Sequence, residues 1–262
     1  MTDEPIFRTD GDAFVPTGHA RGPWDPDALH GGAPAALIAR AVERVEPGAD
    51  MLVTRMTLEF LAPVPMAPLT VTADVVRPGK RLQLVEAEVV AGDRPVLRAR
   101  AVRLRRAALA HGVTMLTPPA GAGPDDAHGS PFPSASSETE GFHRTGMDIR
   151  FADGASYGVG PARAWFRLAH PLVDDEAPTP LQRLMAAADF GNGISRVLDF
   201  DTHLFINVDL QVSISREAEG EWMLLDSQTE IGEQGVGLST SRLFDQRGPL
   251  GVAAQSLFVD ER

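Results

Sequence analysis

The sequence predicts an α+β protein built from an internal repeat: two units, each a long apolar helix wrapped by an antiparallel sheet. Three observations predict it. The same order of elements occurs twice: a lead-in strand, an apolar helix and four strands. Landmarks recur at a nearly constant offset, Thr57-Leu58-Glu59-Phe60 with Asp209-Leu210-Gln211-Val212, and Asp93-Arg94-Pro95-Val96-Leu97 with Arg247-Gly248-Pro249-Leu250-Gly251. Between them, residues 109–140 are rich in Gly, Pro, Ser and Ala without periodicity, as a linker is. The division is therefore 1–108, linker 109–140, and 141–262.

Residues 1–29 read as a polar lead-in with a short strand at Phe14-Val15-Pro16, then a turn-rich stretch in which Trp24 covers an edge of the core. His30-Gly31-Gly32-Ala33-Pro34 opens the first helix, whose apolar positions are Leu37, Ile38, Ala41, Val42 and Val45; Pro47-Gly48 stops it. Glycines at a helix entrance leave backbone N–H groups approachable, and the helix dipole makes that end positive. His30 either faces a ligand or serves as a cap. Val53–Leu61, Leu69–Val76, Leu82–Val90 and Pro95–Leu104 alternate as strands, with Met56, Leu58 and Phe60 on one side and Arg98 and Arg100 sharing a face. Arg77-Pro78-Gly79-Lys80-Arg81 is a basic turn. In the linker, Met115, Leu116 and Phe132 are apolar enough to dock.

In the second half, Phe142–Phe151 and Ala162–Ala169 read as strands around an Asp153-Gly154 turn. The most informative stretch runs from Thr179 to Asp199. Thr179 is placed as an N-cap, Pro180 sits at the first helical position, and Leu181, Leu184, Met185 and Ala188 recur at helical spacing. Asp189 lands directly after this apolar run, followed by Gly191 and Gly193, each costing about 1 kcal/mol in a helix interior. One reading is an active-site carboxylate with the backbone kept slim for a ligand. The other is a helix that ends there with Gly191 as its C-cap. Leu204–Ser215, Trp222–Ile231, Gly235–Phe244 and Val252–Val259 complete the strands. By the repeat, Ala101 takes the place of Gln255, Arg55 that of Asn207, and Ala39 or Arg40 lies near that of Asp189. The halves agree in scaffold and differ in polar residues, so one unit is expected to carry chemistry and the other to support it.

Composition narrows the function. The chain is 43% hydrophobic and 23% charged, a globular balance, and without cysteine it offers no thiol nucleophile, disulfide or cysteine-ligated zinc. A net charge of −12 argues against nucleic acid as a partner. No apolar run is long enough to span a membrane, and Met1–Asp12 is acidic, so a cytoplasmic location is expected. Exposed strands favour further pairing, so a homo-oligomer is expected.

In this order, His30-Gly31-Gly32, Leu58-Glu59-Phe60-Leu61-Ala62-Pro63-Val64 and the turn 77–81 resemble the double hotdog fold, and in particular the acyl-CoA thioesterase II family and its bacterial thioesterase-like relatives. The resemblance covers most of the chain outside the linker. It implies hydrolysis of acyl-CoA to free acid and coenzyme A without metal or other cofactor. The family triad is an aspartate, a threonine or serine, and a glutamine. Asp189 matches the first and Gln255 the last, whereas Asn207 stands where the hydroxyl residue is expected. By this resemblance Asp189 is the general base, Asn207 and Gln255 orient the water, and the N–H groups of the Gly31-Gly32 entrance or of the second entrance stabilise the oxyanion. His30, Gly31 and Gly32 fall on the substrate. Arg77, Lys80 and Arg81 are either contacts for coenzyme A phosphates or a solvated turn. Because asparagine cannot be a nucleophile, a non-catalytic acyl-CoA binding protein is the rival. An enoyl-CoA hydratase would pair an Asp with a His in a characteristic loop; Asp199 and His203 are near each other, but Asn192-Gly193 does not form that loop. Ser195 lacks the second glycine of a Gly-x-Ser-x-Gly elbow.

Overall fold

A computed structural model describes residues 4–46, 50–108, 117, 119, 121–127, 140–153 and 158–262. The Pro47-Gly48 helix stop, Gly154, most of the linker and its residues Met115, Leu116 and Phe132 lie outside the described residues. The elements are β1 (Phe7–Asp10), β2 (Ala13–Pro16), α1 (Gly32–Arg44), β3 (Met51–Phe60), β4 (Leu69–Arg77), β5 (Leu82–Ala91), β6 (Arg94–Arg105), β7 (Met147–Phe151), β8 (Ala162–Leu168), α2 (Pro180–Ala188), α3 (Gly191–Ile194), β9 (His203–Asn207), β10 (Asp209–Ile214), β11 (Met223–Ile231), β12 (Val236–Asp245) and β13 (Gly248–Glu261). The fold is the expected α+β double hotdog: two helices wrapped by antiparallel sheet.

The two halves form one continuous sheet in the order β1-β2-β4-β5-β6-β3-β10-β13-β12-β11-β8-β7, with β9 added to β13. The seam is the β3–β10 pair, Glu59 opposite Asp209 and Arg55 opposite Ser213. The sheet curls round α1 and α2, which lie antiparallel against each other: the Gly31 end of α1 meets the Asp189 end of α2, and Glu43 near the end of α1 meets Thr179 at the start of α2. Strand alternation supplies the core. Met56, Leu58, Val85, Val89, Ala99 and Ala101 point inward, as do Leu210, Val212, Leu225 and Leu243. Outward-facing Arg98 and Arg100 pair across the strand with Glu88 and Glu86. From Leu184 to Ala188 every side chain of α2 is buried, because one face meets the sheet and the other meets α1. Truncating Leu184 to alanine is expected to cost about 2–5 kcal/mol.

Several expectations change. Phe7–Asp10 is a strand paired with β2, although its sequence is mostly polar. Phe142–Gly146 is a π-helical turn, so only Met147–Phe151 of that stretch is strand. The long second helix is broken into α2 and α3. The stretch 204–215 is interrupted at Val208, since Asn207 pairs with Leu257 while Gln211 pairs with Ala254, an extra residue in the inner strand. Among the described residues, no helix is long and apolar enough to cross a membrane.

Candidate active site

Asp189 owes its position to the way α2 ends. Thr179 Oγ1 accepts the Gln182 N–H at 3.2 Å, and Pro180 starts the helix where no N–H is needed. The helix stops at Ala188, and Asp189 itself is the C-cap, at φ −73° and ψ −10°. Gly191 is not a left-handed C-cap; it opens α3, and a Cβ there would lie 2.7 Å from Ser241 Oγ and 2.9 Å from Gln255 Oε1. Its slimness lets α3 sit directly on β12 and β13.

The entrance of α1 closes on the same carboxylate. A Cβ on Gly31 would lie 2.8 Å from Asp189 Oδ2 and 2.8 Å from Phe60 Cζ, and one on Gly32 2.5 Å from the Ala186 carbonyl oxygen. Only glycine lets the two helix ends approach this closely. Of the two entrances considered, the Gly31-Gly32 one therefore faces Asp189.

Around Asp189, which is 4% exposed, the three residues matched to the triad come together. Asn207 Nδ2 donates to Oδ1 at 2.9 Å. Gln255 Nε2 donates to the Asp189 main-chain oxygen at 3.1 Å and reaches Oδ1 at 3.4 Å. The interruption at Val208 turns Asn207 inward from the end of β9. Gln255 Oε1 in turn accepts the Asn192 N–H at 3.1 Å, and Asn192 Nδ2 donates to the Phe205 carbonyl, so the glutamine is fixed at both ends of its amide. Both amides thus spend donors on the aspartate rather than on a water. Asn207 also donates to the Asp209 carbonyl at 3.2 Å, which leaves its Oδ1 as the acceptor available to a water.

His30, read from the sequence as facing a ligand or serving as a cap, lies beside both Asp189 and the first N–H of α1. His30 Nδ1 lies 3.0 Å from Asp189 Oδ2 and 3.1 Å from the Gly32 nitrogen. One nitrogen cannot serve both. A proton on Nδ1 donates to the carboxylate, and a bare Nδ1 accepts the Gly32 N–H. The ring stacks on Phe190 at 4.3 Å between centroids and tilts against Phe142 at 5.2 Å. Beside it, burial together with the charges of His30 and Arg144 pushes His143 down to about 3, so this second imidazole is neutral near pH 7. No local pattern marks the roles of His143, Asn192 or the aromatic packing, since all three depend on long-range contacts.

The basic turn does not join this group. The Arg105 N–H donates to the Arg81 carbonyl, and Arg105 pairs with Met51, at the opposite end of β3 from Phe60. That is about 30 Å of strand at roughly 3.3 Å per residue. Arg77, Lys80 and Arg81 therefore lie at the far end of the sheet from Asp189. The repeat register is corrected. The offset that maps Ala101 onto Gln255 maps Arg103 onto Leu257; Arg103 pairs with Val53 and Leu257 with Asn207, so the counterpart of Asn207 is Val53 rather than Arg55. One cluster with metal-ligand spacing, Glu4, His19 and Glu140 with ligand atoms within 4.8 Å of one another, belongs to the lead-in and includes none of the Asp189 partners.

Comparison with known proteins agrees with this fold. A family model described as the acyl-CoA thioesterase N-terminal domain matches residues 20–104, and one described as the acyl-CoA thioesterase C-terminal domain matches residues 124–259. Among solved structures, the chain is similar to a protein of Novosphingobium aromaticivorans assigned as a thioesterase (24% identity, 97% of this chain and 98% of that one, TM-score 0.72). It is also similar to a hot dog fold protein from Alicyclobacillus acidocaldarius (18%, 98% and 95%, 0.70). A third is an acyl-CoA thioesterase II from Mycobacterium marinum (18%, 97% and 94%, 0.63). A search against curated proteins gives no match.

Proposed function

As the chain belongs to the acyl-CoA thioesterase family, we propose that it hydrolyses acyl-CoA with water activated by Asp189, positioned by Asn207 and Gln255. The observation that carries this reading is the convergence of Asn207, Gln255 and His30 on one buried carboxylate at a glycine helix entrance. In this reading a water held by Asn207 Oδ1 gives its proton to Asp189 as its oxygen attacks the thioester carbon. The Gly31 N–H, which has no partner among the described residues, receives the developing oxyanion. The Gly32 N–H joins it when His30 carries its proton on Nδ1 and turns to Asp189. The C–S bond then breaks, and the proton on Asp189 passes to the departing sulfur, leaving the free acid and coenzyme A.

The test is turnover of the purified protein on a panel of acyl-CoA thioesters, then of Asp189→Asn. A loss of about 10²–10⁴-fold is expected, the range of a positioned general base; unchanged turnover removes Asp189 from the mechanism. A second reading, non-catalytic acyl-CoA binding, draws on one observation: both Asp189 oxygens already have partners, and no hydroxyl stands at position 207. Tight acyl-CoA binding with no release of thiol by any substrate would favour it.

The expected homo-oligomer is supported by an outward apolar patch on β12 and β13, where Val236, Leu238, Val252 and Phe258 are 62%, 47%, 53% and 52% exposed. Phe258→Asp is expected to lower the mass seen by light scattering to that of a single chain; a wild type that already runs as a single chain removes the proposal.

A further inference from the structure

The two helices meet at two ends, and Asp189 occupies only one. At the other, Glu43 stands against the α2 entrance as Asp189 stands against that of α1. Here lies a cavity of about 200 Å³, walled by Leu52, Val53, Leu181, Leu184 and Ile214. It keeps the shape of a site and lacks the means for hydrolysis. Val53 and Ala101 replace the two amides. Pro180 has no N–H to offer an oxyanion, and the Thr179 side chain already caps the entrance.

One group in this cavity is only partly satisfied by the protein. Arg103 is 4% exposed, points inward from β6 and lines the space. Its guanidinium makes one hydrogen bond, from Nη1 to the Val45 carbonyl at 2.8 Å; the Glu46 carboxylate acts on it from a distance, and among the described residues no carboxylate forms an ion pair with it. The other charged groups here are satisfied. Arg106 binds Glu217 at 2.9 Å. Glu43 accepts from Thr179 Oγ1 at 2.8 Å and Gln182 Nε2 at 3.0 Å. A largely buried guanidinium with donors left over is stabilised by whatever fills the cavity beside it, water or an anion. The exposed basic turn of Arg77, Lys80 and Arg81 lies at the same end of the sheet.

We propose that this cavity binds a short-chain monocarboxylate, its hydrocarbon against the apolar wall and its carboxylate on Arg103, at a site separate from Asp189. A planar guanidinium matches a carboxylate with two parallel hydrogen bonds. A cavity of about 150 Å³ holds a benzene molecule, so this one has room for an acid about the size of hexanoate. A thioester carbonyl, being uncharged, gives Arg103 nothing to neutralise, which is why a free acid fits the cavity better.

The test is calorimetric titration of the full chain, in its Asp189→Asn form so that no turnover intervenes, with hexanoate and with hexanol. Hexanoate is expected to bind at least tenfold more tightly than hexanol. Arg103→Gln should abolish that preference, and Leu52→Trp, which fills the cavity from a partly exposed position, should block hexanoate. Equal binding of acid and alcohol overturns the proposal, as does an absence of hexanoate binding. Hexanoate affinity untouched by Leu52→Trp would place the acid elsewhere, and displacement of hexanoate by coenzyme A would overturn the ligand class. The alcohol comparison uses no change at Arg103, so it decides the matter even if Arg103→Gln fails to fold.

Discussion

At one end of the paired helices Asp189 meets the Gly31 entrance of α1; at the other, Glu43 meets the Thr179 entrance of α2. Each end sets a carboxylate against a helix entrance, and the polar chemistry is opposite. Asp189 is held by side chains that arrive from distant strands, Asn207 and Gln255, and by a histidine from the facing helix entrance. Glu43 is held by Thr179 and Gln182, both within the first turn of the facing helix. The first arrangement leaves the Gly31 N–H without a partner among the described residues; the second uses the carboxylate to tie two helices together. A carboxylate set against a helix entrance can therefore serve either chemistry or packing, and its neighbours decide which.

The comparison breaks most readily at Asp189. If the partners confer reactivity, Asp189→Asn removes about 10²–10⁴-fold of turnover with little change in the thermal transition, measured by thiol release and by scanning calorimetry. Next in size is Gly31→Ala. The added methyl would sit 2.8 Å from Asp189 Oδ2, so the carboxylate must move, and a displacement of about 1 Å can cost about 10²-fold in rate. The matching change at the other entrance, Thr179→Ala, removes an N-cap and should cost about 1 kcal/mol of stability, seen in denaturant titration. Equal rate losses from the two entrance variants would refute the division of labour.

Much of this was legible in the sequence, for local reasons. The helix starts at Gly31-Gly32 and Thr179-Pro180, the alternating strands and the repeated turns are all signals carried within a few residues. Asp189 drew notice because an acid followed by glycines is expensive in an apolar helix, although the cause of Gly191 proved to be contact with Ser241 and Gln255 rather than a left-handed cap. What was not legible depended on distance. Arg77, Lys80 and Arg81 read as an anion site at any location, and only the strand register shows which end of β3 they occupy. The landmarks Thr57 and Asp209 set an offset two residues smaller than the strand pairing does, so the counterpart of Asn207 falls at Val53 rather than Arg55. His30 was noticed, but its bond to Asp189 joins residues far apart in the chain.

Position 207 sharpens the comparison further. Asn207→Ala removes a donor from Asp189 and the acceptor proposed for water, and a loss of about tenfold or more in kcat is expected, since a hydrogen bond to a charged group contributes about 1.5–3 kcal/mol. Asn207→Thr restores the hydroxyl of the related thioesterases and should recover most of that loss. Recovery by threonine but none by asparagine, relative to alanine, would mean that the wild-type residue has left catalysis.

The smallest effect concerns Glu43 and is visible only against pH. Burial raises its carboxyl above the ordinary value of 4.5, and the hydrogen bonds from Thr179 and Gln182 offset only part of that. A carboxyl raised in the folded state binds its proton more firmly there than in the unfolded chain. Between 4.5 and the raised folded value the native protein holds more protons, so stability falls as pH rises through that window. Above it the burial cost is fully present; below 4.5 it is absent. Glu43→Gln has no proton to lose at this position. The difference in Tm, wild type minus variant, should therefore be most favourable to wild type at low pH and decline on the way to pH 7, as measured by melting curves across that range. A difference that stays flat would mean that Glu43 is as well solvated as an exposed carboxylate, and the contrast between the two helix ends would then lie in the strand amides alone.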